Sequence, residues 1–371
     1  MEERRQRVTA DARSSQGWLA SPYLHVTDAG IYNPHTGQTL PVDDPRCGRL
    51  RRMAEERVVL TALDDADRSL VDESWLMEQG ADLSRAYRLR YVSLETHTVC
   101  TQACSFCPVS IAPRKPKYMA TELFERLAAE IATHRNTVEG VTLNNYNEPT
   151  ADRRFTEQVR TLLDNDLPVA VLSNGSTFTP DKVDALVAMG PITYMSINIS
   201  SLDRELYAAE RQRDHLSIVL DHLEYMKDRP VAQTMDLVVL GHRDEQHWAN
   251  TAALSERFAG SRFNVRDFAI MDRAGYLSVG LKPERPHGQL RGCDNLGSRP
   301  IEHIHINPEG RCILCCEDYD EHHVIGDLTR QSLHEVMTGD EIARLRRMVY
   351  GIEEAPENFI CRKCVFALGG L

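Results

Sequence analysis

Ten cysteines stand out in this chain because their spacing could bind metal. Three of them, Cys100, Cys104 and Cys107, lie within eight residues, and three thiolates this close can hold one soft metal centre. A structural zinc site needs four ligands, and no further Cys or His follows nearby. Ferredoxin-type cysteine runs also supply four. The loop therefore favours a [4Fe–4S] cluster with one open iron, and a structural zinc site is the alternative.

A second group of cysteines lies beyond residue 292, at Cys293, Cys312, Cys315, Cys316, Cys361 and Cys364. No cysteine stands between Cys107 and Cys293, so the two groups predict two separate sites. Disulfides are rare in a reducing cytosol, where clustered cysteines indicate metal ligands or redox thiols. The terminal Cys361-x2-Cys364 pair is compatible with an iron–sulfur cluster or a zinc ribbon. Cys47 joins neither group.

Composition and charge limit the classes of partner. The 371 residues carry a net charge of −12, so the usual basic surface for nucleic acid or anionic lipid is missing. No segment approaches the roughly 18 apolar residues of a membrane-spanning helix. The first twenty residues are charged and lack the apolar core of a secretory signal. We therefore expect a cytoplasmic protein that binds neither nucleic acid nor membrane.

Short apolar runs alternate with helical patterns from residue 90 onward. The predicted strands are 90–95, 139–143, 168–172, 193–199, 232–239 and 263–270, and the predicted helices are 121–133, 153–164, 180–188, 214–227 and 245–257. About six β–α units in series imply an α/β fold, a parallel sheet with helices outside it. In such sheets the chemistry lies at the carboxyl ends of the strands. The first cysteine loop follows its strand at that end.

The segment before this repeat has a different pattern. Within residues 1–85, turn-forming residues at 33–37 follow a short apolar run and predict a hairpin. Amphipathic helices are predicted at 48–58 and 64–79. This section is either a small recognition domain or a cover for the main domain.

The segment after the repeat also differs. Residues 301–307 alternate with period two and lead into a ProGluGly turn at 308–310, which indicates a hairpin. One or two helices are predicted over 332–348. The expected domains are therefore 1–85, 86–280 and 281–371.

The first cysteine loop resembles that of the radical S-adenosylmethionine (SAM) superfamily. Its C-x3-C-x2-C spacing follows the first strand of the repeat, and the aromatic Phe106 precedes the last cysteine. The resemblance implies a partial (β/α)6 barrel, with SAM bound to the open iron. It implies that an electron, from a donor such as flavodoxin or ferredoxin, cleaves SAM to a 5′-deoxyadenosyl radical that abstracts hydrogen from the substrate. The protein then supplies orientation and excludes water.

Later strand ends resemble the SAM-binding motifs of this superfamily. Glu148, in Tyr-Asn-Glu-Pro at 146–149, matches the Glu of Gly-Gly-Glu-Pro, which contacts the SAM amino group, although both glycines are replaced. Arg211 resembles an arginine that reaches the SAM carboxylate, although Gln212 replaces the usual glycine. The resemblance implies further cofactor contacts from a turn near the ribose and from the next strand, at Ser173, Asn174, Ser196 and Asn198.

The last section resembles the auxiliary-cluster domain of the superfamily, which is called SPASM in its long form and twitch in its short form. Gly310 followed by four residues and Cys315-Cys316, and then GlyAspLeu at 326–328, carry this resemblance. The short form implies one auxiliary [4Fe–4S] cluster, with ligands Cys293, Cys315, Cys361 and Cys364. Cys312 is the alternative to Cys315, because the sequence leaves the hairpin register open.

Cys312 and Cys316 are left over by this assignment. A spare thiol near a radical site is a candidate hydrogen donor, since some relatives invert a carbon centre by taking hydrogen from one face and returning it from a cysteine on the other. The alternative is that both are small buried hydrophobic residues. Asn198, His242 and Arg273, at strand ends, are further candidates to face the substrate.

Two enzymatic functions follow from the resemblance. The first is oxidation or epimerisation of a sugar-, cyclitol- or nucleoside-type natural-product intermediate, which is typical of the subgroup with one auxiliary cluster. The second is modification of a ribosomally made peptide, for which residues 1–85 have the size of a recognition domain. A metal-binding module without catalysis is the third hypothesis.

Overall fold

The computed structural model describes residues 17–370. The chain forms two compact units, of which the first ends at Leu83 and the second begins at Ser84. A division of the second unit at residue 280 stays a prediction. In the described residues, no helix is both long and apolar enough to cross a bilayer.

The first unit combines short antiparallel strands with two helices: β1 (Trp18–Ala20), β2 (His25–Thr27), β3 (Gly30–Asn33), β4 (Gln38–Pro41), α1 (Cys47–Glu56), α2 (Asp65–Asp72) and β5 (Leu76–Glu78). Strands β2, β3 and β4 form a meander, and β1 pairs with β5. Ile31, Leu50 and Leu70 are fully buried in its core, and Cys47 is buried with them. The predicted hairpin is therefore confirmed.

The helix predicted over 64–79 is wrong in its second half. Asp64 and Asp67 form a capping box that begins α2. The helix ends at Asp72, and Ser74 takes a left-handed backbone conformation, with φ of 64°. The chain then enters β5, which pairs with β1 more than fifty residues earlier. Pairing with a distant strand overrides the local helical pattern here.

The second unit contains the predicted β–α repeat and a C-terminal section. Its strands are β6 (Tyr91–Leu94), β7 (Gly140–Thr142), β8 (Val169–Ser173), β9 (Ile192–Asn198), β10 (Ala232–Gly241), β11 (Phe263–Ala269), β12 (Gln289–Cys293), β13 (His303–Ile306), β14 (Arg311–Ile313), β15 (Val324–Asp327) and β16 (Ala367–Gly370). Its helices are α3 (Thr121–Ala132), α4 (Phe155–Asp164), α5 (Pro180–Met189), α6 (Arg204–Arg211), α7 (Leu216–Met226), α8 (Glu245–Arg257), α9 (Arg299–Glu302), α10 (Leu333–Met337) and α11 (Asp340–Val349).

One nine-stranded sheet organises this unit, in the order β11-β10-β9-β8-β7-β6-β13-β14-β15. Strands β6 to β11 are parallel, which confirms the six predicted strands as a partial barrel. Strand β13 of the C-terminal section adds in parallel to β6, and β14 and β15 continue as an antiparallel hairpin. The C-terminal section therefore extends the barrel sheet, and Cys312 on β14 lies two strands from β6, the strand that precedes the first cysteine loop.

The two faces of the barrel sheet differ in polarity. Met195, Ile197 and Leu237 are fully buried on the face that packs against the helices. The alternate residues of β9 and β10 point to the opposite, inner face because side chains alternate along a strand. These inner residues include Tyr194, Ser196, Asn198 and Asp236.

The C-terminal section differs from the sequence prediction in two places. Residues 299–302 form the short helix α9, so the strand predicted over 301–307 begins only at His303. Strands β12 and β16 pair with each other at opposite ends of the section, and neither was predicted. In the barrel, helix α6 was also missed; it begins at Asp203, whose carboxylate accepts hydrogen bonds from the first-turn amides.

Candidate active site

The first cysteine loop sits at the carboxyl end of β6 and is anchored to the end of helix α6. The amide of Ala103 donates to the carbonyl of Arg211 at 3.2 Å, and the amide of Ser105 donates to the carbonyl of Glu210 at 2.8 Å. The last carbonyls of a helix lack partners within it, so the loop amides satisfy them. This docking fixes the backbone around Cys104.

The three cysteines of this loop are half-buried. Burial raises the pKa of Cys100 to about 12, with smaller contributions from Glu148 and from the other two cysteines of the loop. Burial also raises the pKa of Cys107. Iron binds the thiolate, so these sulfurs must ionise as metal binds.

Within residues 17–370, no three His, Cys, Asp or Glu side chains converge as ligands of a single metal ion. Thiolates that hold a [4Fe–4S] cluster each bind a different iron. Three cysteines held around one loop therefore fit a cluster as a donor set.

Glu148 is a buried carboxylate held by four hydrogen bonds. Oε1 accepts from the Thr150 amide at 3.1 Å, the Thr150 hydroxyl at 2.6 Å and the Ser173 hydroxyl at 2.7 Å. Oε2 accepts from the amide of Asn174 at 2.7 Å. Burial raises the pKa of Glu148 above its usual range, and these hydrogen bonds oppose part of that rise. A carboxylate fixed in this way can bind an ammonium group with little loss of side-chain entropy.

Asn174 and Arg211 bring the other candidate residues to the cysteine loop. The amide group of Asn174 lies 3.9 Å from Cys100 Sγ. One Nη of Arg211 lies 3.6 Å from Cys104 Sγ, and the other donates to Asn198 Oδ1 at 2.7 Å. The guanidinium of Arg211 is almost fully buried and can offer charge to a carboxylate.

Two further residues lie apart from this group. Ser196 is on the same face as Asn198, two residues earlier on β9. His242 is exposed just beyond β10. The structure therefore groups Glu148, Ser173, Asn174, Asn198 and Arg211 around the cysteine loop, with Ser196 one row further along the sheet.

The second cysteine group surrounds a separate cavity. Cys293, Cys315, Cys361 and Cys364 line it, together with mainly apolar residues such as Leu314, Val349 and Ile360; Arg299 and Glu317 are its charged members. Burial raises the pKa of Cys293 to about 11 and the pKa of Cys315 well above its usual range. Four thiols in an apolar cavity fit an iron–sulfur cluster with a closed coordination sphere.

Cys312 and Cys316 lie in different surroundings. Cys312 is fully buried in β14, pairs with Ile306 and Gly326 in the sheet, and is not among the residues that line the cavity. The side chain of Cys316 lies 3.7 Å from Glu317 Oε1, and Glu317 accepts a hydrogen bond from Arg273 at 3.2 Å. The geometry thus groups Cys315 rather than Cys312 with the other cavity cysteines.

Sequence reasoning missed several charged residues between the two cysteine groups. Glu95 is buried and binds both Nη atoms of Arg114. Glu317 pairs with Arg273, whose backbone has a left-handed φ of 55°. Arg273 was expected only as a strand-end residue. No local sequence signal pointed to Glu95, Arg114 or Glu317, because each salt bridge joins segments that are distant in sequence.

Comparisons with known protein families agree with these two sites. The model of the radical SAM superfamily matches residues 94–254, and that of an iron–sulfur cluster-binding domain, SPASM, matches residues 293–365. A comparison with curated protein sequences gives no match.

Several solved structures are similar to this chain at low sequence identity. SuiB of Streptococcus suis bound to S-adenosylmethionine has a TM-score of 0.54 at 12% identity, over 94% of this chain and 93% of its own. The protein anSMEcpe with bound AdoMet has a TM-score of 0.54 at 12% identity, over 75% of this chain and 86% of its own. BtrN in complex with AdoMet and 2-DOIA has a TM-score of 0.46 at 15% identity, over 71% of this chain and 88% of its own.

Radical SAM proteins are enzymes that depend on a [4Fe–4S] cluster and SAM, and SPASM domains bind auxiliary iron–sulfur clusters. The family matches coincide with the two cysteine groups, and the parallel sheet with its C-terminal extension agrees with both. The chain belongs to the radical SAM superfamily and carries a C-terminal SPASM domain.

Proposed function

We propose that this enzyme abstracts hydrogen from a carbon of a sugar-, cyclitol- or nucleoside-type substrate and epimerises or oxidises that carbon. Epimerisation is the reaction that the site supports best. The observation that carries this choice is the Cys316 thiol, which is not among the cysteines that line the cavity and whose neighbour Glu317 pairs with Arg273, a residue whose charge also acts on Cys107.

Arg273 connects the two regions. Its guanidinium hydrogen-bonds Glu317, the neighbour of Cys316, and its charge acts on both Cys316 and Cys107. Arg273 thus links the Cys316 thiol with the cysteine loop where SAM would be cleaved. Cys312 faces Asp327 and Glu130 instead, on the α3 side of the sheet.

Bound SAM and the cluster supply the 5′-deoxyadenosyl radical. Cys100, Cys104 and Cys107 would hold that cluster, Glu148 would bind the ammonium group of SAM, and Arg211 would bind its carboxylate. Ser173 and Asn174 hold Glu148, and Asn198 holds Arg211. Cys293, Cys315, Cys361 and Cys364 would hold one auxiliary cluster.

The hydrogen balance assigns a role to Cys316. Abstraction of hydrogen leaves a radical on the substrate carbon, and the thiol of Cys316 gives that carbon a hydrogen atom on the opposite face. The resulting sulfur radical takes one electron from an external reductant of the flavodoxin or ferredoxin class and one proton, which restores the thiol. In the competing oxidation, the substrate radical loses one electron and one proton, and no thiol is needed.

The inner face of the barrel supports a polar substrate. Asp236 is buried there, and its carboxylate accepts hydrogen bonds from the Tyr194 hydroxyl at 3.0 Å and the Asn264 amide at 3.1 Å. Parallel sheets covered on both faces usually carry apolar residues on both. A polar inner face offers hydrogen bonds to the hydroxyl and amino groups of a small molecule.

Deuterium incorporation tests the proposal. The reconstituted enzyme is incubated in D2O with SAM, dithionite and the small-molecule fraction of cells that make the protein, and products are analysed by mass spectrometry. An epimerase places one deuterium in its product, because the Cys316 thiol exchanges with solvent. Cys316→Ala should abolish this label and Cys312→Ala should not. A product lighter by two hydrogens, formed equally by both variants, would instead show oxidation.

A peptide substrate is the second candidate function. The observation in its favour is a first unit that is compact and distinct from the barrel unit. In a related solved structure, which covers 94% of this chain at 12% identity, SuiB is bound to the precursor peptide SuiA. The same labelling experiment with the peptide fraction distinguishes the two classes, since only the fraction that contains the substrate gains deuterium or loses hydrogen.

A further inference from the structure

Tyr146 links the segment that carries Glu148 to the auxiliary loop, which is the segment 313–319 that contains Cys315 and Cys316. Its side chain is buried, and its hydroxyl donates a hydrogen bond to the backbone carbonyl of Cys316. Its backbone amide donates to Glu95 Oε1 at 2.9 Å. One residue thus contacts the auxiliary loop through its side chain and the barrel through its backbone.

The ring of Tyr146 is held on several sides. The Tyr319 ring packs against it edge to face, with centroids 4.8 Å apart and an interplanar angle of 86°. The guanidinium carbons of Arg114 and Arg273 each lie 5.8 Å from its centroid. Such contacts restrict rotation of the ring, so the hydroxyl stays directed at the auxiliary loop.

The path from Tyr146 to Glu148 is short and stiff. Asn147 lies between them, and its side chain binds the backbone that precedes Tyr146: Oδ1 accepts from the Asn145 amide and Nδ2 donates to the Leu143 carbonyl, each at 3.1 Å. A shift of the Tyr146 ring would therefore move the Glu148 carboxylate. A glycine at position 146, as in the motif that this segment resembles, has no side chain to reach the auxiliary loop.

We propose that Tyr146 is a positioning residue through which the auxiliary cysteine loop controls the affinity of the enzyme for SAM. When a cluster orders the Cys315–Cys316 segment, the hydroxyl contact holds the 146–148 segment with Glu148 in its binding position. Coupling between two sites is reciprocal, so SAM binding in turn orders the auxiliary loop. The inference rests on the proposed placement of SAM at Glu148.

A double-mutant cycle on SAM affinity tests the coupling. SAM dissociation constants are measured by anaerobic equilibrium dialysis of the reconstituted protein without reductant, so that no turnover occurs. Cys361→Ser removes an auxiliary ligand remote in sequence from Tyr146, and Tyr146→Phe removes only the hydroxyl. Each should weaken SAM binding about three- to tenfold, the effect of one hydrogen bond. Because both act through one contact, the double variant should bind no more weakly than the weaker single variant. The proposal would be overturned if the double variant lost SAM affinity by the product of the two single-variant factors. Wild-type SAM affinity in either single variant would also overturn it.

A control variant separates coupling from general loss of structure. Tyr350→Phe also removes a buried hydroxyl, which donates to Ser298 Oγ at 2.7 Å within the C-terminal section, and it should leave SAM affinity unchanged. An equal loss in Tyr350→Phe and Tyr146→Phe would mean that any buried hydroxyl has this effect and would contradict the proposal.

Hydrogen exchange gives a second readout that needs no loss of a cluster. SAM should slow amide exchange over residues 313–319 in the wild-type enzyme and leave it unchanged in Tyr146→Phe. Equal protection in both proteins would exclude the Tyr146 route. Normal SAM affinity in Glu148→Gln would instead refute the placement of SAM, which is a separate result.

Discussion

The backbone amide of Asn174 donates a 2.7 Å hydrogen bond to Glu148 Oε2, which joins the turn after β8 to the carboxylate that follows β7. The side chain of Asn174 also donates to the Thr101 hydroxyl at 3.0 Å, inside the first cysteine loop. Asn174 therefore connects Glu148, the candidate ligand of the SAM ammonium group, with the loop that carries the candidate cluster ligands. Three strand ends meet at this point because they are neighbours in the same parallel sheet.

Glu148→Gln should weaken SAM binding about tenfold to a hundredfold, since a hydrogen-bonded charge is replaced by a neutral amide. The measurement is the SAM dissociation constant of the reconstituted protein by equilibrium dialysis. Glu157→Gln, on the exposed face of α4, is the matched control and should bind SAM as the wild type does. Equal affinity of the two variants would contradict the role assigned to Glu148.

Arg211→Lys should also weaken SAM binding, by about tenfold, although it keeps the charge. The guanidinium donates to Asn198 Oδ1 and Ser200 Oγ, each at 2.7 Å, and a lysine ammonium cannot make both contacts and still face Cys104. Arg213→Lys, on the exposed loop that follows, is the control. The same dialysis measurement applies, and unchanged affinity in Arg211→Lys would argue against carboxylate binding there.

The auxiliary site predicts how iron content changes when single cysteines are replaced. The reconstituted wild type should hold about eight irons, as expected for two [4Fe–4S] clusters. Cys315→Ala should hold about four irons and keep some or all of its reductive cleavage of SAM. Cys312→Ala should keep about eight irons. Iron and acid-labile sulfide analysis checks this. Loss of iron in Cys312→Ala, with full iron in Cys315→Ala, would reverse the ligand assignment.

The stability of the first unit should fall between pH 7 and pH 5 because of His25. Burial lowers the pKa of His25 to about 4, from 6.5. A lowered folded-state pKa means that the unfolded chain binds the proton first, so the stabilisation is complete above pH 6.5 and is lost as the pH falls towards 4. The expected loss in unfolding free energy from pH 7 to pH 5 is about 2 kcal/mol.

Tryptophan fluorescence during urea unfolding can measure this change. In a Trp248→Phe background, the remaining tryptophans, Trp18 and Trp75, both lie in the first unit. His25→Phe removes the titrating group and should remove about 2 kcal/mol of the pH dependence. The same pH dependence in His25→Phe would show that other groups cause it.

Much of the barrel could be predicted from the sequence. The apolar runs that became β6 to β11 are short-range patterns, and their alternation with helical segments requires a parallel sheet. The cysteine loop could be located for the same reason, because it directly follows β6. Helix α6 was missed since its eight residues are mostly polar and charged, which leaves only Tyr207 and Arg211 buried.

Contacts between distant segments could not be predicted. The pairing of β12 with β16, and the end of α2 before β5, depend on strands that lie far apart in the chain. Tyr146 was visible only as a departure from a motif, since its partner Cys316 is 170 residues away. Burial among such partners is a property of the folded chain, and local propensity carries no information about it.

The sequence by itself determined the chemistry of this protein, because the spacing of Cys100, Cys104 and Cys107 places three thiolates in one loop whatever surrounds them. It also separated the two cysteine groups. Only the tertiary structure decided that Cys315 lines the auxiliary cavity while Cys312 lies in the sheet and Cys316 lies beside Glu317. The physical reason is the register of the β13–β14 hairpin, which pairs Cys312 with Ile306 inside the sheet, whereas Cys315 and Cys316 follow the end of β14 at Ile313.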